Sequence, residues 1–265
     1  MDSSRPALDV ERLRSAVVSS RSRWTRVEVV EQTGSTNSDV ARAARDGAES
    51  GLVVTAEHQV AGRGRLDRGF VTPARSGVVV SVLLRPDHVP LRRWVWLPLL
   101  TGLAVRDTVV RAGVTPGLKW PNDVLVDGRK ICGILLERVE TPTGAAAVLG
   151  IGLNVDLTRE ELPVPTATSL RLEGALTIDR TDVLTTLLGR LEHWLDAWES
   201  PGDPVPALRG EYRRACSTLG QQVAVDLPDG TRLVGRADDV DPDGRLVVDG
   251  RPLSAGDVTH VRPTS

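Results

Sequence analysis

The sequence predicts an α+β chain. A mixed β-sheet body flanked by helices is expected over residues 1–217, followed by a small β domain over 218–265. Three observations carry this. Strand-length apolar runs such as VEVV (27–30), LVVTAE (52–57) and VVVSVLL (78–84) alternate with segments of helical character. The segment 182–199 places Val183, Leu184, Leu187, Leu188, Leu191, Trp194, Leu195 and Trp198 on one side of a helix. From about Thr218 the texture changes to short alternating strands, broken by two PDG turns and one VDG.

The elements follow in order. Leu8, Leu13, Ala16 and Val17 predict one short helix within 8–20, which leaves no room for a helix-turn-helix domain ahead of the body. After the strand at 27–30, GSTNSDVARAARDG supplies Ser, Thr, Asn and Asp as candidate N-caps and Gly47 as a helix stop. Strands at 52–57 and 78–84 precede an apolar helix over 94–112, whose start is blurred by Pro98. Strands are then expected at 117–126, 131–139 and 146–155, the first two joined through a Gly-Arg turn in DGRK. The tryptophans of 182–199 read as core. SPGDPVP (200–206) breaks that helix, and a short helix through Tyr212 follows.

Composition narrows the function classes. With 40% apolar and 26% charged residues and a net charge of −2, the chain resembles neither a membrane protein nor one whose whole surface binds nucleic acid. No apolar run approaches about 18 residues, and the N-terminus lacks the apolar centre of a secretory signal. Two distant cysteines, Cys132 and Cys216, and four scattered histidines offer neither a disulfide framework nor a dedicated metal site, so a cytoplasmic location is expected. Of the 33 basic residues only Lys119 and Lys130 are lysines, both inside KWPNDVLVDGRK. An arginine-favouring genome leaves lysine where a compact, strongly hydrated point charge is required. At least one of the two is therefore expected to carry chemistry.

The segment EHQVAGRGRLDRGF (57–70) has three readings: a nucleic-acid contact, an anion cradle or a solvated loop. It is short, internal and unaccompanied by a second basic block, which disfavours the first. It matches neither a Walker loop nor a dinucleotide fingerprint. Its glycines do admit backbone N–H groups to an anion, and its arginines suit carboxylate or phosphate, so ordering on ligand binding is expected for 62–70. Polar groups at GSTN (34–37), KWPNDV (119–124), the head of KICGILLE (130–137) and GIGLNVD (150–156) accompany it.

GRGR at 62–65, KWPND at 119–123, Lys130 eleven residues after Lys119, GIL.E at 133–137 and GIG.N at 150–154 together resemble the biotin protein ligases, from about residue 27 to the C-terminus. The resemblance implies a biotin/lipoyl ligase-like catalytic fold and a C-terminal SH3-like β-barrel. It also implies two reactions: biotin and ATP give biotinyl-5′-AMP and pyrophosphate, and a lysine on the biotin carboxyl carrier domain of an acetyl-CoA or acyl-CoA carboxylase then displaces AMP. Mg²⁺ is expected with ATP, with Asp123 as the candidate residue near it, and no membrane or DNA partner is expected.

By resemblance, Lys130 and Arg65 are catalytic. Ser35, Thr36 and Asn37 hold the ureido head and Gln59 lies beside it, with Gly62, Arg63 and Gly133 completing the biotin side. Arg63, Gly64, Arg65, Arg68, Phe70, Asn122, Asp123, Lys130 and Asn154 serve the adenylate. The family loop commonly reads GRGRRGR followed shortly by Trp, whereas this chain has Leu66, Asp67 and Phe70. Asp67 adds a negative charge, and Phe70 offers less stacking area than Trp. The competing expectations are a ligase for another acyl group, such as lipoate or octanoate, and a non-catalytic biotin sensor.

Overall fold

A computed structural model describes residues 5–64, 69–70 and 72–260. Its body is a seven-stranded mixed sheet in the order β1-β2-β3-β7-β6-β5-β4. The strands are β1 (Arg26–Thr33), β2 (Leu52–Gln59), β3 (Gly77–Leu84), β4 (Gly117–Lys119), β5 (Asp123–Val126), β6 (Arg129–Thr141) and β7 (Gly144–Asn154). β1 and β2 run parallel, joined by the crossover helix α2 (Thr36–Arg45), and every other neighbour is antiparallel. The segment 117–126 is therefore two strands and not one. Pro121 has no N–H to donate to a ladder, so the chain turns at Trp120-Pro121 before β5 begins. The DGRK hairpin turns one residue earlier than expected, on Asp127 (φ 47°) and Gly128 (φ 76°), the positive-φ pair that a tight two-residue connection requires.

Alternation along the strands sends side chains to two different cores. Val53, Val80, Val82, Leu149, Ile151 and Leu153 face the large core, beside residues of α1 (Val10–Val17), α3 (Trp96–Arg111) and α4 (Arg180–Glu199). Leu52, Val54, Leu83, Val139 and Val148 face the opposite way, onto Val40, Ala41 and Ala44 of α2. Pro98 sits in the first turn of α3, where backbone N–H groups have no intrahelical acceptor, and the helix tolerates it. Asp179 caps α4 by accepting from the Thr181 and Asp182 backbone N–H groups. Beneath the sheet, Arg180 donates to Glu57 at 2.6 Å, with both side chains at most 5% exposed, and Glu57 also accepts from Leu8 N.

After α5 (Val205–Ala215) the chain forms a separate five-stranded antiparallel sheet in the order β11-β10-β9-β8-β12. These strands are β8 (Gln222–Asp226), β9 (Arg232–Val240), β10 (Leu246–Val248), β11 (Arg251–Leu253) and β12 (Asp257–His260). Its second PDG turn docks on the body: Trp96 donates to Pro242 O at 2.9 Å and Trp120 to Gly244 O at 3.0 Å. A mixed sheet with helices and a small β unit is the α+β architecture that the sequence predicts.

Candidate active site

Beyond the end of α2, the small-core face of the sheet changes character. Register pairs Gly150 with Ser81 and Leu135, and Gly152 with Val79 and Gly133, so Gly133, Gly150 and Gly152 share one face in adjacent rows. A strand face without side chains leaves room for something else to lie on the sheet. The cavity above it measures about 460 Å³, within the range of small-molecule sites. Ser35, Thr36, Asn37, Gln59, Arg63, Gly64, Phe70, Asn122, Asp123, Lys130, Gly133 and Asn154 line it.

One end is a polar array. Ser35 occupies the N-cap of α2 in extended conformation, but its side chain makes no capping bond. The orphan N–H of Thr36 instead donates to Gln59 Oε1 at 2.9 Å. Thr36 Oγ1 lies 2.8 Å from Ser81 Oγ, Ser81 Oγ donates to Asn37 Oδ1 at 2.6 Å, and Asn37 Nδ2 donates to Glu137 Oε2 at 2.6 Å. A connected run of donors and acceptors thus crosses from β2 through α2 and β3 to β6. Ser81 and Glu137 are the members that sequence reasoning did not single out. The glycine at 150 leaves room for this arrangement, because a Cβ on it would lie 2.2 Å from Asn37 Oδ1 and the amide would have to shift.

The other end is cationic. Lys130 Nζ pairs with Asp123 Oδ1 at 2.5 Å, and Lys119 Nζ lies 3.9 Å from Asp123 Oδ2, so one carboxylate serves both lysines of the chain. The head of β6 is held by residues 166–168: Lys130 N donates to Thr166 O at 2.7 Å, and Thr168 N donates to Lys130 O at 2.9 Å. Asn122 stitches the same strand by donating from Nδ2 to Ile134 O and accepting from Ile134 N. Asn154 Nδ2 donates to Thr168 O at 2.9 Å, while its buried Oδ1 has no hydrogen-bond partner among the described residues. Burial pushes the Cys132 thiol up, out of reach of neutral-pH thiolate chemistry. Among the described residues no group of three or more His, Cys, Asp or Glu is arranged to hold a metal ion.

The glycine-arginine segment closes on itself at its base. Phe70 N donates to Gly62 O at 2.8 Å, and Arg63 bridges Gly69. A Cβ at Gly62 would lie 2.0 Å from Phe70 O and 2.1 Å from Gln59 Nε2, and one at Gly152 would lie 2.5 Å from the Phe70 ring. Phe70 therefore lies over the sheet. The Arg63 guanidinium sits toward the polar array, 2.9 Å from Ser38 Oγ and 3.7 Å from Glu137 Oε1. Arg65, Leu66, Asp67 and Arg68 lie outside the described residues.

No described helix is long and apolar enough to cross a membrane. A biotin/lipoate A/B protein ligase family model matches residues 29–154, and a biotin protein ligase C-terminal domain model matches 218–261. The chain is 44% identical over 270 residues to the biotin–[acetyl-CoA-carboxylase] ligase of Mycobacterium tuberculosis, covering 98% of each chain. It is 32% identical over 212 residues to the bifunctional ligase/repressor BirA of Bacillus spizizenii, covering 78% of this chain and 64% of that one. In fold it is similar to a biotin protein ligase from Aquifex aeolicus in complex with biotin and ATP. That match has a TM-score of 0.75 at 24% identity and covers 90% of this chain and 100% of the other.

Proposed function

This chain belongs to the biotin protein ligases, and from that premise we propose that it activates biotin with ATP and transfers it to a lysine of a biotin carboxyl carrier domain. The observation that carries the reading is the division of one cavity into a hydrogen-bonding end, where Glu137 and Arg63 offset each other's charge, and a lysine-bearing end, separated by a floor of glycines. A cyclic urea is a compact donor–acceptor head that suits the Thr36–Ser81–Asn37 array and Gln59. An apolar acyl chain suits the glycine floor, and a carboxylate suits Lys130.

In the first step a biotin carboxylate oxygen attacks the α-phosphorus of ATP, and the bond to the β-phosphate oxygen breaks to release pyrophosphate. Bringing two unit negative charges to about 4 Å costs about 4 kcal/mol at an effective dielectric of about 20, so a nearby cation is the first requirement. Lys130 supplies it, with Asp123 holding the ammonium in place. In the second step the acceptor amine attacks the acyl carbon, the C–O bond to AMP breaks, and the amine loses its proton. Phe70 and Asn154 serve the nucleotide: a ring over Gly152 can stack, and the buried Asn154 Oδ1 can accept from an amino group. Both Asp123 oxygens face lysines, so Mg²⁺ is expected to arrive with ATP and to be held mainly by phosphate oxygens and water, which are its preferred ligands.

The test is transfer of labelled biotin to a carrier domain, with ATP omitted as control, alongside pyrophosphate exchange with biotin and with lipoate. Exchange with lipoate alone would overturn the proposal.

A further inference from the structure

Glu137 lies in β6 beyond Gly133 and Leu135, on the same face of the strand, and its carboxylate divides between two partners. Oε2 accepts from Asn37 Nδ2 at 2.6 Å, and Oε1 lies 3.7 Å from Arg63. We propose that Glu137 is a positioning residue for the head-group end of the cavity, acting through Asn37. The inference rests on the reading of that end as the biotin head-group site.

A carboxylate accepts hydrogen bonds and donates none, so it draws the NH₂ of Asn37 toward itself and turns Oδ1 toward Ser81. Ser81 Oγ then donates to Asn37, and its oxygen lies 2.8 Å from Thr36 Oγ1, whose hydroxyl also has Gln59 Oε1 as an acceptor at 3.2 Å. A single anionic side chain thus sets the direction of the run from Ser81 through Asn37, which an amide or hydroxyl at 137 could not do, since either could donate as well as accept. Two further features support this. The carboxylate lies beside the first turn of α2, where the helix dipole favours negative charge. Arg63, which also donates to Ser38 on that turn, supplies the counter-charge for a side chain that is one-third exposed.

The experiment compares wild type with Glu137→Gln, which preserves shape and removes the imposed polarity. The readouts are steady-state pyrophosphate exchange and transfer from synthetic biotinyl-adenylate supplied at saturation. The expected result is a KM for biotin raised about tenfold, the factor that corresponds to one charge-assisted bond made neutral, with turnover at saturation changed less than about threefold. In an Asn37→Ala background, Glu137→Gln is expected to change KM less than about twofold, because its effect runs through the missing amide. An unchanged KM, a fall in turnover at constant KM, or an equal effect with and without Asn37 overturns the proposal. A wild-type chain that exchanges with lipoate and not with biotin fails the reading of the site itself, which separates the two outcomes.

Discussion

A methyl group added at Gly150 would be built 2.2 Å from Asn37 Oδ1 and 2.9 Å from its Cγ, closer than any real contact, so the amide must move. Residue 150 is in an ordinary strand conformation, so Gly150→Ala introduces no backbone strain and restricts the unfolded chain, a gain of about 0.4–1 kcal/mol. Against this stands the array. Displacing Asn37 breaks a neutral bond to Ser81, about 1 kcal/mol, and a charge-assisted bond to Glu137, about 1.5–3 kcal/mol. If the amide stays displaced, the head group loses its partner; if the ligand forces it back, the clash returns. Either route weakens biotin by about 2–4 kcal/mol, or about 30- to 1000-fold in Kd. Titration calorimetry with biotin, and KM values for biotin and ATP in pyrophosphate exchange, measure it. Gly152→Ala is the companion: its Cβ meets the Phe70 ring at 2.5 Å and is expected to raise the KM for ATP with little change for biotin. Unchanged biotin affinity in Gly150→Ala, or equal effects of both variants on both substrates, would refute the division of the cavity.

Lys130→Arg should lower adenylate formation by about 100-fold or more while the melting temperature stays close to wild type, because the side chain is 42% exposed and its ammonium is seated against Asp123. Wild-type pyrophosphate exchange in that variant would count against the lysine's role. Arg180→Ala strands the buried Glu57 carboxylate, and chemical denaturation should show a loss of about 3–5 kcal/mol, or about 6–20 °C in Tm. A loss below about 1 kcal/mol would mean that the pair is not isolated from water. Burial, and then the charge of Lys119, lower the His260 pKa, so the unfolded chain binds the proton more readily than the folded one. This contribution to stability is complete above the ordinary histidine pKa of about 6.5, and it is lost as pH falls from there through the lower folded value. Melting curves across that window should show the decline, and His260→Gln should flatten it.

Much of the chemistry is legible along the chain, because it depends on residue type and local spacing. The scarcity of lysine points to Lys119 and Lys130, and in the folded chain both face one carboxylate. The alternation Leu149, Gly150, Ile151, Gly152, Leu153, Asn154 places large side chains on one face and glycines with Asn154 on the other. It is visible in the sequence as a period of two, and that glycine face is the floor of the cavity. Helix α4 follows from periodicity alone. The break between β4 and β5 is legible in Pro121, which fixes the turn inside KWPNDV.

Other features depended on which strands are neighbours, and no local pattern carries that information. Ser81 sits among valines and reads as a buried strand residue; Glu137 reads as a charged edge of an apolar run. Both become part of the site only because β3 and β6 flank β7 and lie against the first turn of α2. The same placement decides Ser35–Asn37, where a helix cap was the simpler reading. Gln59 arrives from the parallel neighbour of β1 and satisfies the Thr36 N–H, freeing the Ser35 side chain from capping. Sequence by itself determined the chemical inventory and the period of each element, since both are properties of consecutive residues. Only the tertiary structure decided which groups share a hydrogen bond, because donors and acceptors as far apart as residues 37 and 137 meet through strand order and register.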